Sequence, residues 1–342
     1  MLVPSFVDIH MHGAGGYDVG TCDLNGLTGI CRILAAHGTA AFLPTLPSAS
    51  PEVTVKALSV ISRKAESQKA LLNEIFNSDP ESRKNIQVDE AFVLGAHLEG
   101  PFFLPAYKGA QDESVFMDAT IENWKKLTGD YEYIVRRVTI DPLAEGALEL
   151  IRYLSDKGIT VSCGHTAATS EQTLKAFNAG ANSVTHIFNG MAPMHHRAPG
   201  PAGAALSDDD SYAEMICDFL HVNKYVCKTV IKAKGPEKVA VITDSGEAAG
   251  MPDGQYSLCG NLIHVINGEA RTPQGNLASS TVFVDKERLN LLSLGFGERD
   301  IEKLTHHTPL ECIDANVTEK KVLSMIYADI GEDGLALGLK CV

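Results

Sequence analysis

Near its start the chain reads Phe6-Val7-Asp8-Ile9-His10-Met11-His12-Gly13, an apolar run that ends in two histidines one residue apart. In an extended strand alternate side chains point to the same face, so these two imidazoles can reach one cation. The simpler interpretation is two histidines on a polar strand face. The glycines that follow the pair indicate an open loop, which favours a metal site at the end of a strand.

Seven further apolar runs follow the first, and segments of helical length separate them. The eight runs cover residues 5–10, 40–46, 91–98, 133–140, 159–163, 182–187, 213–217 and 239–243. Runs rich in Val and Ile, separated by helices, are typical of a parallel sheet buried on both faces. One helix is predicted over 144–157, where apolar residues recur every three or four positions and Gly158 follows. Eight such units predict an α/β fold, the (β/α)8 or TIM barrel.

In a barrel of this kind the functional side chains lie at the carboxyl ends of the strands. The polar residues that follow the predicted strands are His10, His12, Glu99, His165, His186, Asp218, His221 and Asp244. Imidazole and carboxylate groups are ligands for zinc, iron or manganese. His10, His12, His165 and His186 would hold two metals that share Glu99. Alternatively, one metal would be bound and the pair His10 and His12 would be unused. A carboxylate such as Asp244 beside a metal-activated water can move a proton, so the sequence predicts hydrolysis of an amide or ester.

The composition excludes several classes of partner. The chain has 342 residues and is 44% hydrophobic, which is ample for a buried core. A net charge of -14 without a cluster of Lys and Arg argues against nucleic acid and anionic membranes. Eight scattered cysteines indicate neither a disulfide framework nor a thiolate zinc site. Because we find neither a signal peptide nor a membrane-spanning apolar stretch, we expect a cytoplasmic protein.

Short motifs occur in a fixed order from Asp8 to about Ser280. They are Asp8-Ile9-His10-Met11-His12-Gly13, His97-Leu98-Glu99-Gly100-Pro101-Phe102, Lys108-Gly109-Ala110-Gln111, Gly164-His165-Thr166, Thr185-His186-Ile187-Phe188-Asn189-Gly190-Met191, His196-Arg197-Ala198-Pro199-Gly200, Asp218-Phe219-Leu220-His221-Val222 and Val241-Ile242-Thr243-Asp244. In this order they resemble the amidohydrolase superfamily and, within it, the N-acetylglucosamine-6-phosphate deacetylase family. The His-x-His pair marks only the superfamily. The Leu-Glu-Gly-Pro, His-x-Phe-Asn and Arg-x-Pro-Gly segments are specific for the deacetylase branch.

The resemblance implies a divalent metal cofactor, one or two ions per chain, with zinc as the first choice and iron or manganese as alternatives. Its principal ligands would be Glu99, His165 and His186. The pair His10 and His12 would complete a second metal site.

The resemblance also implies how an amino-sugar phosphate substrate is bound and cleaved. Asp244 would be the general acid and base, and His221 would bind the sugar. The backbone near Asn189 and Gly190 would help to hold the phosphate. Arg197 would reach that phosphate from the neighbouring subunit of a homodimer, because a guanidinium fork matches phosphate oxygens.

The chain departs from the family pattern at one site residue and at its ends. Gln111 stands where several members have His, so a substrate contact there would be made by an amide. The companion β-sandwich domain of the family is expected to be absent or strongly reduced, because His10 comes too early for the strands that usually precede it. We therefore expect a barrel over residues 1–310 with a β-hairpin insertion at 255–280. Residues 311–342 would be a tail that is a candidate remnant of the companion domain.

The predicted function is metal-dependent hydrolysis of the acetamide of N-acetylglucosamine-6-phosphate. One alternative is the galactosamine epimer, which differs at a single hydroxyl. Another is a different amidohydrolase, although those that use a carboxylated lysine need it at the end of the fourth run, where Ile140-Asp141 stands. A non-catalytic sugar-phosphate sensor is disfavoured because a binding protein has no need of Asp244.

Overall fold

The computed structural model describes residues 1–258 and 261–342, and within them the chain forms a nearly closed barrel of eight parallel strands. In chain order, which is also their order around the sheet, the barrel strands are Phe6–Met11, Thr39–Pro47, Ala96–Glu99, Val135–Ile140, Thr160–Cys163, Ser183–Val184, Tyr212–Met215 and Val239–Val241. Each overlaps one of the eight apolar runs. The predicted α/β barrel is therefore confirmed.

Two of the predicted strands are shorter than their apolar runs for local reasons. The third run is divided into Phe92–Val93 and Ala96–Glu99, because Gly95 between them has a φ of 141°. A Cβ atom there would lie 2.7 Å from the carbonyl oxygen of Ile134, so only glycine fits. The fourth run begins in the 3₁₀ helix Gly129–Ile134, and extended structure starts only at Val135.

The first and eighth barrel strands meet along a seam of hydrogen bonds beyond the regular ladder. The backbone N–H of Asp244 donates to the carbonyl oxygen of His10 at 2.9 Å. The hydroxyl of Thr243 donates to Oδ2 of the buried Asp8 at 2.5 Å. This seam brings the predicted general base beside the histidine pair that opens the chain.

Helices follow the strands and cover the barrel. The α-helices of the described chain are Leu24–Ala36, Pro51–Asn77, Pro80–Arg83, Ile121–Thr128, Ala147–Asp156, Ser170–Ala179, Gly200–Ser207, Lys224–Lys234, Val284–Ser293, Glu298–Glu302, Thr308–Cys312 and Val317–Leu323. Short 3₁₀ helices span Pro105–Tyr107 and Glu113–Val115, and a π-helix spans Lys303–His307. The helix predicted over 144–157 is Ala147–Asp156, which buries Leu150, Ile151 and Leu154. Among the residues with described positions, none of the helices combines the length and apolarity needed to cross a membrane.

Two small antiparallel sheets accompany the barrel. The insertion sheet consists of Gly254–Leu258, Asn261–Ile266 and Glu269–Arg271, three strands that overlap the hairpin expected over 255–280. The terminal sheet consists of Leu2–Pro4, Ile326–Ile330 and Ala336–Cys341. The expectation that no strand precedes His10 is thus wrong, because Leu2–Pro4 pairs with Ile326–Ile330. A two-stranded hairpin of Gly13–Ala14 and Tyr17–Asp18 follows the first barrel strand. Of the eight cysteines that are scattered through the sequence, Cys259 lies outside the described residues.

Candidate active site

Most of the predicted site residues converge on one cavity of about 310 Å³ at the carboxyl ends of the barrel strands. The predicted residues that line it are His12, Glu99, Gln111, His165, His186, Asn189, Gly190, His221 and Asp244. His10 lies beneath them and is fully buried. Arg197 is exposed and is not among the described residues that line the cavity.

The strand ends turn sharply at three of these residues. His165, His186 and Asp244 have φ values of 48°, 30° and 49°, in the left-handed region that side chains other than glycine rarely adopt. Such strain is concentrated at functional sites, where the surrounding structure holds it. Gly164, just before the first of these turns, lets the chain pass close to Thr139, because a Cβ atom there would lie 2.7 Å from Cγ2 of Thr139.

Glu99, His165 and His186 form what we call the loop-held group. Oε1 of Glu99 lies 3.0 Å from Nε2 of His165 and 3.0 Å from Nε2 of His186. The other ring nitrogens donate to loop carbonyl oxygens, Nδ1 of His165 to Tyr107 at 2.9 Å and Nδ1 of His186 to Asn189 at 3.1 Å. A neutral imidazole that donates from Nδ1 carries its lone pair on Nε2. Both lone pairs therefore face Glu99.

His10 and His12 form what we call the strand-held pair. Their Nε2 atoms each lie 3.4 Å from Glu99, His10 from Oε1 and His12 from Oε2. They also lie 3.5 and 3.2 Å from Oδ1 of Asp244. Nδ1 of His12 donates to the carbonyl oxygen of Thr45 at 3.1 Å, which again leaves Nε2 directed at the carboxylates. Glu99 thus lies between the two sets of histidines.

The arrangement of donors fits a metal. Nε2 of His165 and Nε2 of His186 are only 3.2 Å apart, and two lone pairs at that distance repel unless a cation lies between them. Nε2 of His10 is buried without a hydrogen-bond partner. The candidate ligand atoms of Glu99, His165 and His186 all lie within 4.8 Å of one another. The same holds for the candidate ligand atoms of His10, His12 and Glu99. Nitrogen and oxygen donors in this number suit one or two divalent ions.

The electrostatics of these side chains point the same way. Burial alone would lower the pKa of His12, but hydrogen bonds to Asp244 and Glu99 outweigh it and raise that pKa to about 9. Burial would raise the pKa of Glu99, yet the charges of His10 and His165 hold it well below its usual value. The two carboxylates thus favour positive charge beside them, which either protonated imidazoles or a bound cation can supply. Binding of a metal to neutral imidazoles would release their protons.

Gln111 and His221 are held in place by different partners. The amide nitrogen of Gln111 donates to Oε2 of Glu99 at 2.6 Å, and its oxygen accepts from the backbone N–H of Ser48 at 2.7 Å. Gln111 lines the cavity, but both ends of its amide are engaged within the protein, and its nitrogen orients Glu99. Nδ1 of His221 donates to Oδ2 of Asp218 at 2.6 Å. Burial would lower the pKa of His221, and this hydrogen bond and the charge of Asp218 raise it.

The residues predicted to bind phosphate lie on the segment that follows His186. Gly190 has a φ of 55°, and a Cβ atom there would lie only 3.0 Å from Nδ1 of His165. The backbone at Asn189 and Gly190 can therefore come close to a ligand in the cavity. Arg197 lies farther along the same segment, with Nη1 2.8 Å from Nε2 of His196. The structure does not bring Arg197 to the cavity of its own chain.

Sequence reasoning missed Arg137 and Glu214, which lie within the fourth and seventh barrel strands. Both are fully buried, and Nη2 of Arg137 is 2.6 Å from Oε1 of Glu214. The available signal was a charge inside each of two apolar runs, since a buried charge needs a partner. It also missed the wall of the cavity that Leu258 and Leu277 to Ser279 provide beside the insertion sheet.

An eight-stranded parallel barrel that gathers histidine and carboxylate side chains at the carboxyl ends of its strands fits the amidohydrolase class. The chain is 35% identical over 294 residues to an N-acetylgalactosamine-6-phosphate deacetylase of Escherichia coli O157:H7. The aligned residues cover 86% of this chain and 73% of that protein. N-acetylglucosamine-6-phosphate deacetylases of Lysinibacillus sphaericus and Bacillus subtilis are 34% and 31% identical, over 85% and 95% of this chain and 70% and 75% of theirs. No family model matches the chain.

Solved structures agree with these relatives. The N-acetyl-D-glucosamine-6-phosphate deacetylase of Mycobacterium smegmatis superposes with a TM-score of 0.85 at 28% identity, over 98% of this chain and 85% of that one. The Thermotoga maritima N-acetylglucosamine-6-phosphate deacetylase gives a TM-score of 0.83 at 27% identity, with the same coverage. The chain belongs to the N-acetylglucosamine-6-phosphate deacetylase family.

Proposed function

We propose that this protein hydrolyses the acetamide of N-acetylglucosamine-6-phosphate to glucosamine-6-phosphate and acetate. The observation that carries the proposal is the convergence of Asp244 with Glu99, His165 and His186 on one cavity. Its volume of about 310 Å³ suits a small ligand such as a monosaccharide phosphate. The names of the Lysinibacillus sphaericus and Bacillus subtilis relatives and of both solved structures support the same reaction, whereas the Escherichia coli relative is named for the galactosamine epimer.

We propose that the loop-held group binds the principal metal, with zinc as the first choice, and that the strand-held pair completes a second site. A divalent metal held there supplies Lewis-acid polarisation of a carbonyl and makes a water molecule more acidic. Iron and manganese suit the same donors. The charge-paired carboxylates and the lone pairs on Nε2 support this assignment.

Asp244 is the general base and acid of the proposed reaction. It accepts one proton from the water that adds to the acetyl carbon, and it delivers this proton to the nitrogen as the C–N bond breaks. Its position 3.2 Å from Nε2 of His12, at the cavity wall, supports this role. The products are acetate and the free amine.

The remaining predicted contacts complete the substrate site. His221, held through Nδ1 by Asp218, leaves Nε2 to bind the sugar. The backbone near Asn189 and Gly190 holds the phosphate, together with Arg197 of the partner subunit in a homodimer. Arg197 is exposed and is not among the described residues that line the cavity of its own chain, which supports a contribution in trans.

We further propose that the terminal sheet is the reduced counterpart of the companion β domain. It includes the strands Ile326–Ile330 and Ala336–Cys341 of the 311–342 tail. The strand Leu2–Pro4 belongs to the same unit, since it pairs with Ile326–Ile330. The barrel, with its insertion, then carries the whole active site.

Acetate release from purified protein tests the function. The protein is first stripped with a chelator and then assayed with zinc, iron or manganese on N-acetylglucosamine-6-phosphate, its galactosamine epimer and unphosphorylated N-acetylglucosamine. Metal-dependent turnover of the phosphorylated glucosamine sugar alone supports the proposal. Faster turnover of the epimer reassigns the substrate, and absence of turnover in metal-loaded protein that binds the sugar phosphate indicates a sensor.

A complementation experiment tests the role of Arg197 in trans. Arg197→Ala and Asp244→Asn chains are each expected to be nearly inactive alone. In a one-to-one mixture refolded or expressed together, half of the dimers carry one intact site, which restores about a quarter of the wild-type rate. If Arg197 acts within its own chain, the mixture stays at the level of the two variants.

A further inference from the structure

A buried ion pair lies beneath the strand-held pair in the interior of the barrel. Arg137 and Glu214 are both fully buried, and Nη2 of Arg137 lies 2.6 Å from Oε1 of Glu214. The guanidinium is also fixed by the hydroxyl of Ser183, which accepts from Nη2 at 2.7 Å. Two charges removed from water cost several kcal/mol each, so such a pair is poor evidence for stability alone. A positional role accounts for it better.

The second oxygen of Glu214 reaches a predicted metal ligand. Oε2 of Glu214 lies 3.1 Å from Nδ1 of His10, which therefore donates to it. The opposite nitrogen, Nε2 of His10, has no hydrogen-bond partner and lies 3.4 Å from Glu99 and 3.5 Å from Asp244. Only one tautomer and one ring orientation satisfy both contacts.

The other three imidazoles are supported differently. His12, His165 and His186 each donate from Nδ1 to a backbone carbonyl oxygen. Among the four histidines, His10 is the one backed by a carboxylate. A carboxylate on the far nitrogen fixes the ring of a metal-binding histidine and increases its basicity, and its loss typically lowers metal affinity about 10–100-fold.

We propose that Glu214 and Arg137 are positioning residues that make His10 a metal ligand: Glu214 fixes the imidazole, and Arg137 holds Glu214 in place. The inference deepens the proposed function and rests on the metal dependence stated there. The second proposed metal site then depends on side chains buried in the barrel core. Neither residue is among the described residues that line the cavity.

The test measures metal binding without substrate. Chelator-stripped protein is titrated with cobalt(II), and the visible absorption bands and the affinity of each equivalent are recorded. The wild-type protein is expected to bind two equivalents. In the double variant Arg137→Met/Glu214→Gln, the equivalent at the strand-held pair weakens about 10–100-fold and its spectrum changes, while the other is retained.

The double variant is chosen because it removes both charges together. A lone Glu214→Gln change leaves the buried Arg137 charge unpaired, which strongly destabilises a fold. Arg136→Met is the matched control, since the neighbouring Arg136 pairs with Glu319 at 3.1 Å on the outer face of the same strand. It is expected to leave both cobalt affinities unchanged.

Two results would overturn the inference: a wild-type protein that takes up a single equivalent, or a double variant with wild-type affinities and spectrum. Neither depends on deacetylation. If cobalt binding depends on Glu214 but the protein releases no acetate, the proposed function is contradicted and this inference stands. If the enzyme is active but the double variant binds cobalt normally, the proposed function stands and this inference is contradicted.

Discussion

The loop-held group and the strand-held pair contribute histidines to the same carboxylate, but different parts of the fold hold them. His165 and His186 lie in strained turns and are oriented by carbonyl oxygens of loop residues. His10 lies inside a barrel strand, and its ring is oriented from the core by Glu214. The comparison teaches that one half of the site depends on loop conformation and the other half on barrel packing.

Glu99 is the residue that the two halves share, and Glu99→Gln should have the largest effect. Its two oxygens face His165 and His186 on one side and His12 on the other. We expect neither metal to survive dialysis, and a rate loss beyond the roughly 10⁴-fold limit of general acid–base catalysis alone. Elemental analysis and acetate release measure both. A variant that keeps its metal would show that the halves are independent.

Asp244→Asn should separate chemistry from metal binding. Removal of a proton-transfer group typically costs about 10²–10⁴-fold in rate, and the ligands of both halves remain. We expect wild-type metal content and thermal stability with kcat reduced by that factor. Near-full activity in the variant would contradict the assignment of Asp244.

His186→Gln and His12→Gln compare the two halves directly. The imidazoles of the loop-held group are 3.0 Å from Glu99, whereas those of the strand-held pair are 3.4 Å away. We expect His186→Gln to abolish activity with loss of the principal metal. His12→Gln should retain that metal and measurable turnover, because the loop-held ligands are intact. Equal metal and activity losses in the two variants would remove the distinction.

The pH dependence of the metal-free protein should show the smallest effect. The folded pKa of His12, about 9, exceeds its ordinary value of 6.5, so the protonated ring stabilises the fold fully below pH 6.5. This contribution is lost as pH rises from 6.5 to 9, so the free energy of unfolding of the metal-free protein should fall over that range.

Urea unfolding in the presence of a chelator measures this loss, and His12→Gln is the control in which it should be reduced. In metal-loaded protein the trend should reverse, because metal binding displaces protons and strengthens with pH. A metal-free protein whose stability is constant between pH 6.5 and 9 would contradict the arrangement of charges around His12.

Much of the fold and of the site could be predicted because both follow from short-range periodicity. Alternation in a strand places His10 and His12 on one side, and the barrel places Glu99, His165, His186 and Asp244 at one end. These residues line or underlie one cavity, as their positions after the apolar runs predicted.

The features that were missed depend on contacts between distant segments. The pairing of Arg137 with Glu214 requires a closed barrel, since no local pattern links the fourth and seventh strands. The strand Leu2–Pro4 exists because Ile326–Ile330 lies beside it. The sequence predicted that Gln111 contacts the substrate. In the structure its amide nitrogen donates to Glu99 and its amide oxygen accepts from the backbone of Ser48.

The seam between His10 and Asp244 has a consequence for the order of events during synthesis. The first barrel strand leaves the ribosome long before the eighth, yet the backbone of Asp244 bonds directly to that of His10. Contacts between residues so far apart in sequence form late in folding, because a long loop must close first. A nascent chain therefore carries its first histidine pair apart from Asp244 through most of translation, and the proposed metal site can assemble only after the barrel closes.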